Sequence, residues 1–247
     1  VVVPSSNEFR DYAEEKAREL AAFVWSKRDE FEFHNIALDP KEAIESVMEF
    51  AGSPVFLTDS GDNCGAGADG YNTYLLHKFM NLDEYNEKNI LIAGIVDHDS
   101  FSSLYSKKLN DHVSINLGMG FDELSKPIKI DGTISAIGLI HEKYEDKKEL
   151  GTSITIKVDD KPISIVVLNV SVSFYDLKQF RTCNLNVDDY NVIVNKQGYL
   201  APEYIGIAKH YVMALTQGPT YQRSEKIKFK RIMRPMWPYD DFEYIPE

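Results

Sequence analysis

The chain has 247 residues, enough for a sizeable core in one large domain or in a domain with an appendage. Its 43% hydrophobic and 27% charged residues are ordinary for a soluble globular protein, and its net charge of -12 speaks against nonspecific nucleic-acid binding, which needs a cationic surface. No segment reaches the roughly 18 consecutive apolar residues of a membrane span. Val1-Val-Val-Pro-Ser-Ser lacks the charged n-region and apolar h-region of a signal peptide and reads as a cut or processed end.

Phe9, Tyr12, Ala13, Lys16, Ala17, Leu20, Ala21 and Val24 fall on one helical stripe, with Arg10, Glu14, Glu15, Arg18 and Glu19 opposite. This predicts an amphipathic helix packed on a body, followed by an irregular connection through His34. Asp39-Pro-Lys-Glu42 predicts a helix start, with Asp39 as N-cap and Pro40 in the first turn, and the helix stops at Gly52. A strand over 54–58, a glycine-rich loop and a helix over 72–82 come next. Ile90-Leu-Ile-Ala-Gly-Ile-Val96 is apolar throughout, as a central strand covered on both faces would be. A short helix over about 99–107 and a strand at His112–Leu117 follow.

Residues 126–175 change to a period of two, which predicts an antiparallel meander with turns at Asp131-Gly132 and Asp159-Asp-Lys161. The charged run from Glu142 to Glu149 reads as a hairpin tip. The α/β pattern then returns, with strands at 190–195 and 211–215 around a helix at 202–210. Lys226, Lys228, Lys230 and Arg231 alternate with Ile227, Phe229 and Ile232, as an edge strand with a solvated face would. The expected fold is α/β: a mixed sheet flanked by helices, an inserted antiparallel β meander and an N-terminal helical lead-in.

The stretch from Pro54 to Gly70 is the most informative. An apolar run gives way to a loop with glycines at 61, 65, 67 and 70 and acids at Asp59, Asp62 and Asp69. A strand–glycine loop–helix crossing aims backbone N–H groups at a ligand. The phosphate motifs with Lys-Ser/Thr or G-x-G-x-x-G spacing are absent. Three carboxylates fit a metal, an amine or the loop's own backbone donors better than a phosphate. Either Asp62, Asn63 and their neighbours face a ligand, or the acids bind backbone donors in a tight turn. Asp97, His98 and Asp99 form the one metal-like cluster, with capping of the following helix as the simpler reading. Cys64 and Cys183 make no disulfide framework, and a reducing cytoplasm is the default setting.

Asp59-Ser-Gly-Asp-Asn63, Ala66-Gly67 and Asp69 resemble the signature that opens the C-terminal domain of the microcystinase C (MlrC) family of metallopeptidases. Ile95-Val-Asp97, Val192-Ile-Val-Asn-Lys196 with Gly198-Tyr199, Ala214-Leu-Thr-Gln-Gly-Pro-Thr220 and Arg231-Ile-Met-Arg-Pro-Met-Trp-Pro-Tyr-Asp240 resemble later family motifs in order. The sequence departs from the pattern at Cys64, at the Asp69-Gly70 order and at Gln217.

The resemblance implies a lead-in over 1–53, similar to the tail of the family's N-terminal domain, and a C-terminal-type domain over 54–247. It implies a zinc-dependent hydrolase of amide bonds in small peptides, incomplete without its N-terminal catalytic half. Zinc is expected for the whole family enzyme and not on this chain alone, where Asp97, His98 and Asp99 are the weak candidates. Asp59, Asp62, Asn63, Gly65, Gly67, Asp69 and Lys196 are expected to bind substrate or wall the cleft. Catalytic residues are not assignable from the sequence. The expected partners are an N-terminal MlrC-like domain or partner chain and a small peptide, with homo-oligomerisation possible and no nucleic acid or membrane. The alternative is a non-enzymatic binding module that uses loop 59–70 for an anionic or peptide ligand.

Overall fold

The structure, a computed structural model, describes residues 1–142 and 148–243. The central part of the charged run at 142–149 lies outside the described residues. The chain divides into two compact units, Val1–His34 with Ser224–Glu247 and Asn35–Arg223.

The smaller unit contains helix α1 (Arg10–Ser26). Its apolar stripe is not covered as the periodicity predicts: Ala13 is buried, whereas Tyr12, Leu20 and Val24 are exposed. Trp25 packs on Phe242 with ring centroids 5.0 Å apart, and Phe229 meets Tyr239 edge-on. Alternation at 226–232 does not produce the expected edge strand; only a short 3-10 turn, Ser224–Lys226, forms there. A strand needs a ladder partner, and none pairs with this segment among the described residues.

The larger unit runs β1 (Ala37–Leu38), α2 (Pro40–Glu49), β2 (Val55–Asp59), α3 (Tyr74–Met80), β3 (Ile90–Val96), α4 (His98–Leu104), β4 (His112–Leu117), β5 (Ile128–His141), β6 (Glu149–Val158), β7 (Ile163–Leu168), α5 (Leu177–Thr182), β8 (Val192–Asn195), α6 (Pro202–Ile205) and β9 (His210–Ala214). These strands form one mixed sheet in the order β1-β9-β2-β8-β3-β7-β6-β5-β4. Pairs from β1 to β7 are parallel, and β7-β6-β5-β4 is the antiparallel meander.

Residues 35–53, expected in the lead-in, belong to this unit: β1 pairs with β9, and α2 buries Ala43, Ile44, Val47 and Met48 against the sheet. Asp39 stands at the α2 N-cap without bonding a helix N–H; its carboxylate pairs with Arg223 at 2.9 Å. Asp131-Gly132 is no turn but the interior of β5, where a Cβ on Gly132 would meet the Lys157 backbone. The short β1 and α5 were not predicted.

The sheet is covered on both faces. Helices α2, α3 and α4 share one core cluster with Leu57, Ile92, Val194 and Val212. Phe180 of α5 and Tyr204 of α6 belong to the other, with Phe56, Leu91 and Ile193. All seven residues of β3 are buried, which explains its unbroken apolar run. The connection after β2 enters α3 on the first face. The connection after its neighbour β8 enters α6 on the second. Adjacent parallel strands whose carboxyl-end loops leave in opposite directions open a crevice between them, the usual ligand position in open α/β sheets.

Candidate functional site

The crevice at the ends of β2 and β8 is filled by an ion cluster. Lys196 follows β8 and is 3% exposed; Asp59 ends β2 and is 0% exposed; Asp62 lies one turn further on and is 2% exposed. The Lys196 Nζ donates to Asp59 Oδ2 at 2.9 Å, to Asp62 Oδ2 at 2.8 Å and to the Asn72 carbonyl at 2.5 Å. All three ammonium donors are thereby used.

The two carboxylates are held differently. Asp62 also accepts from the N–H of Gly70 at 3.0 Å and of Asn72 at 2.8 Å, so it pins the far end of the glycine loop beneath its near end. Burial pushes its carboxyl up, but Lys196 and these N–H donors outweigh burial and hold it below the usual range. Asp59 accepts from the Thr216 hydroxyl as well as from Lys196. Burial dominates there, and with Asp62 close by it pushes the Asp59 carboxyl up. Burial alone would lower the Lys196 pKa, yet the two aspartates raise it, so the ammonium stays charged.

The loop is stitched to the segment after β9. Ser60 Oγ donates to the Ala214 carbonyl, Gly61 N–H to Thr216 Oγ1 at 2.8 Å and Asn63 N–H to Thr220 Oγ1 at 3.0 Å. The Gly61 and Gly218 backbones lie so close that a Cβ on either would strike the opposite strand of loop. Gly65 has the same constraint against the Tyr175 hydroxyl. Gly67 adopts φ +98°, the left-handed region that favours glycine.

The expected residues therefore separate into two groups. Asp59, Asp62 and Lys196 converge in the buried cluster. Asn63, Gly65, Gly67 and Asp69 lie on the partly or fully exposed rim. There Asn63 Oδ1 accepts from Gly65 N–H at 3.0 Å. Asp69 is hydrogen-bonded to the Tyr71 hydroxyl, whose pKa it pushes up to about 12. Cys64 is half-buried, and burial raises its thiol to about 11, the reverse of an activated nucleophile. Thr216, Thr220 and Asn72 are the partners that sequence reasoning missed. Their signal was a pair of short hydroxyl side chains just beyond an apolar strand.

Asp97 occupies the corresponding position at the end of β3. Its carboxylate accepts from the Ser100 N–H and hydroxyl at 2.9 and 2.8 Å and from the Gly118 N–H at 2.7 Å. It is an N-cap for α4, with His98 and Asp99 exposed beside it. Among the described residues no three His, Cys, Asp or Glu side chains are placed to hold a metal. With Asp59 and Asp62 paired to Lys196 and Asp97 saturated by protein donors, these residues do not fit a zinc site. No helix among them is long and apolar enough to cross a membrane.

The family model MlrC C-terminus matches residues 57–231, more than half of the chain. The comparison with curated proteins gave no significant match. A crystal structure of a "Putative metallopeptidase" from Mesorhizobium sp. BNC1 has the same fold, with a TM-score of 0.72 at 16% sequence identity. The match covers 94% of this chain and 47% of that one, so the chain spans less than half the length of that relative. The ordered motifs, the doubly covered mixed sheet and the family match agree: the chain belongs to the MlrC family and carries its C-terminal region.

Proposed function

We propose that this chain supplies the substrate-facing C-terminal half of an MlrC-type metallohydrolase that cleaves amide bonds in small peptides. The observation that carries the reading is the Asp59–Lys196–Asp62 cluster at the switch-point crevice. It fixes a glycine loop whose rim, Asn63 to Asp69, carries the exposed Asp69, while the N–H groups of Asn63, Gly65, Ala66, Gly67 and Ala68 are used within the fold and hold its shape. The catalytic metal's ligands would lie outside the described residues, in an N-terminal MlrC-like domain or partner chain. In this reading Lys196 positions the loop and does not touch substrate.

The test is amide hydrolysis of a small-peptide panel by the 247-residue chain alone and together with an N-terminal MlrC region, each with and without zinc. Turnover is expected only in the combination. Turnover by the chain alone would overturn the division of labour. A second reading, a non-enzymatic module binding through loop 59–70, is favoured by Lys196 already engaging the loop's two deepest carboxylates. Ligand binding without turnover in either preparation would establish it.

A further inference from the structure

The far side of the glycine loop has the chemistry of a cation site. The N–H groups of Gly65, Ala66, Gly67 and Ala68 are used on Asn63 and Cys64, and that of Gly70 on Asp62, so an anion would find none of these free. Asp69 is exposed, and its carboxylate accepts from the neutral Tyr71 hydroxyl. A carboxylate has about four acceptor positions, so it can still take a charged donor. Beside it stands an aromatic corner. Phe121 meets Tyr71 edge-on, with ring centroids 5.5 Å apart and planes at 81°, which bounds a corner with one face of each ring. Tyr71 packs on the core that holds Phe56 and Leu91, whereas Phe121 is 66% exposed. The turn that carries Phe121 is braced: the Gly120 N–H donates to the Ser125 carbonyl at 2.8 Å, and the Thr73 N–H to the Leu124 carbonyl at 2.8 Å. An exposed ring on a fixed turn is preorganised for a ligand.

The segments that form the corner, 69–71 and 118–126, carry four charged side chains: Asp69, Asp122, Glu123 and Lys126. Glu123 and Lys126 pair with each other at 2.5 Å. Asp122 Oδ1 accepts from the Leu124 N–H at 3.0 Å, the Ser125 N–H at 2.9 Å and the Ser125 hydroxyl at 2.7 Å. Asp69 is left without a counter-charge among the described residues. At the neighbouring end of β3, exposed Asp99 has the same sign, and His98 would add a positive charge only on protonation. The sign therefore selects a cation, and the ring faces select one that is weakly hydrated and organic, since an ammonium is attracted to an aromatic face. We propose that Asp69, Tyr71 and Phe121 bind the ammonium end of the peptide, with the Asp69 carboxylate as counter-charge and the two rings on its flanks. This rests on the small-peptide reading above and names the end of the substrate that this half receives.

The probe is Ala-Ala amide, which carries an ammonium and no carboxylate, titrated into the 247-residue chain and followed by amide NMR. Binding is expected, with shifts at Asp69, Gly70, Tyr71 and Phe121. The N-acetylated amide, which is neutral, is expected to bind at least about tenfold more weakly. Asp69→Asn should weaken the cationic probe about tenfold and leave the acetylated one unchanged. Phe121→Leu, which keeps apolar bulk without a ring, should weaken the cationic probe about two- to fivefold, the range of an exposed cation–π contact. Both side chains are exposed, so unaltered melting temperatures are expected and would show intact folds. Equal affinity for the two probes, an unaffected Asp69→Asn variant, shifts confined to other surfaces, or no binding at tens of millimolar would overturn the site. Wild-type affinity in Phe121→Leu would overturn the role of the ring. Neither readout needs turnover or zinc, so a hydrolase that fails to bind an ammonium here and a binder that fails to hydrolyse are separate results.

Discussion

The strands β2 and β3 flank β8, and both end on a buried aspartate, Asp59 and Asp97. Asp97 is surrounded by neutral donors from its own helix and the next loop, so it is a cap that any short αβ unit could use. Asp59 is joined by a second carboxylate, and the pair requires an ammonium from the end of β8, adjacent in the sheet but 137 residues from Asp59 in sequence. A cap is a local solution with modest energetics. A buried ion cluster is strongly destabilising when one partner is removed, because the others are left uncompensated in low dielectric. A turn alone could have been made at β2 by the simple cap used on the other side of β8, at the end of β3. That contrast points to a loop shape that must be held rigidly.

The comparison is broken most severely by Lys196→Met. Two buried carboxylates lose their cation, and thermal or urea unfolding should show a loss of about 3–5 kcal/mol. The triple variant Asp59→Asn, Asp62→Asn, Lys196→Met should recover most of that loss. A triple variant as unstable as the single one would mean that shape, and not charge, dominates the crevice.

Asp62→Asn should cost less, about 1–3 kcal/mol, since charge balances between Asp59 and Lys196 while one acceptor for Gly70, Asn72 or Lys196 is lost. The pH dependence sharpens the contrast between the two carboxylates. The lowered Asp62 pKa contributes stability that is present above the ordinary carboxylate pKa, about 3.9, and is lost as pH falls through the folded value. The raised Asp59 pKa acts oppositely: its contribution is full below about 3.9 and is lost as pH rises through its folded value. Asp62→Asn should therefore flatten stability against pH below about 3.9, and Asp59→Asn should leave that limb in place and remove a decline in stability with rising pH above it. Parallel acid limbs for the two variants would refute the unequal carboxylates.

The smallest effect is expected for Asp97→Ala. It removes the α4 cap, a loss of about 1–2 kcal/mol in unfolding free energy. If instead it cost as much as Lys196→Met, the two strand ends would not differ in kind.

Much of the fold was legible because patterning carries it. The apolar run at 90–96 marked a central strand, and the period of two over 126–175 marked the meander, whose strands span Ile128–His141, Glu149–Val158 and Ile163–Leu168. The failures have physical causes. Asp131-Gly132 has turn chemistry, yet Gly132 is there for close approach of β6. The stripe on α1 has helical spacing, but spacing does not say what covers it. At the site, the loop residues and Lys196 were individually visible. Their convergence was not, because no local rule pairs a strand-end lysine with a loop more than a hundred residues away.

That separation has a kinetic consequence. Lys196 reaches Asp59 across 137 residues and Asp62 across 134. Contacts so distant in sequence form late, after shorter loops have closed. During synthesis the Asp59–Asp62 segment leaves the ribosome long before its counter-charge exists. The glycine loop can therefore take its final shape only when β8 has inserted between β2 and β3. Pulse-labelled hydrogen exchange during refolding should find the Gly70 and Asn72 amides protected in step with β8, after the β5–β6 hairpin.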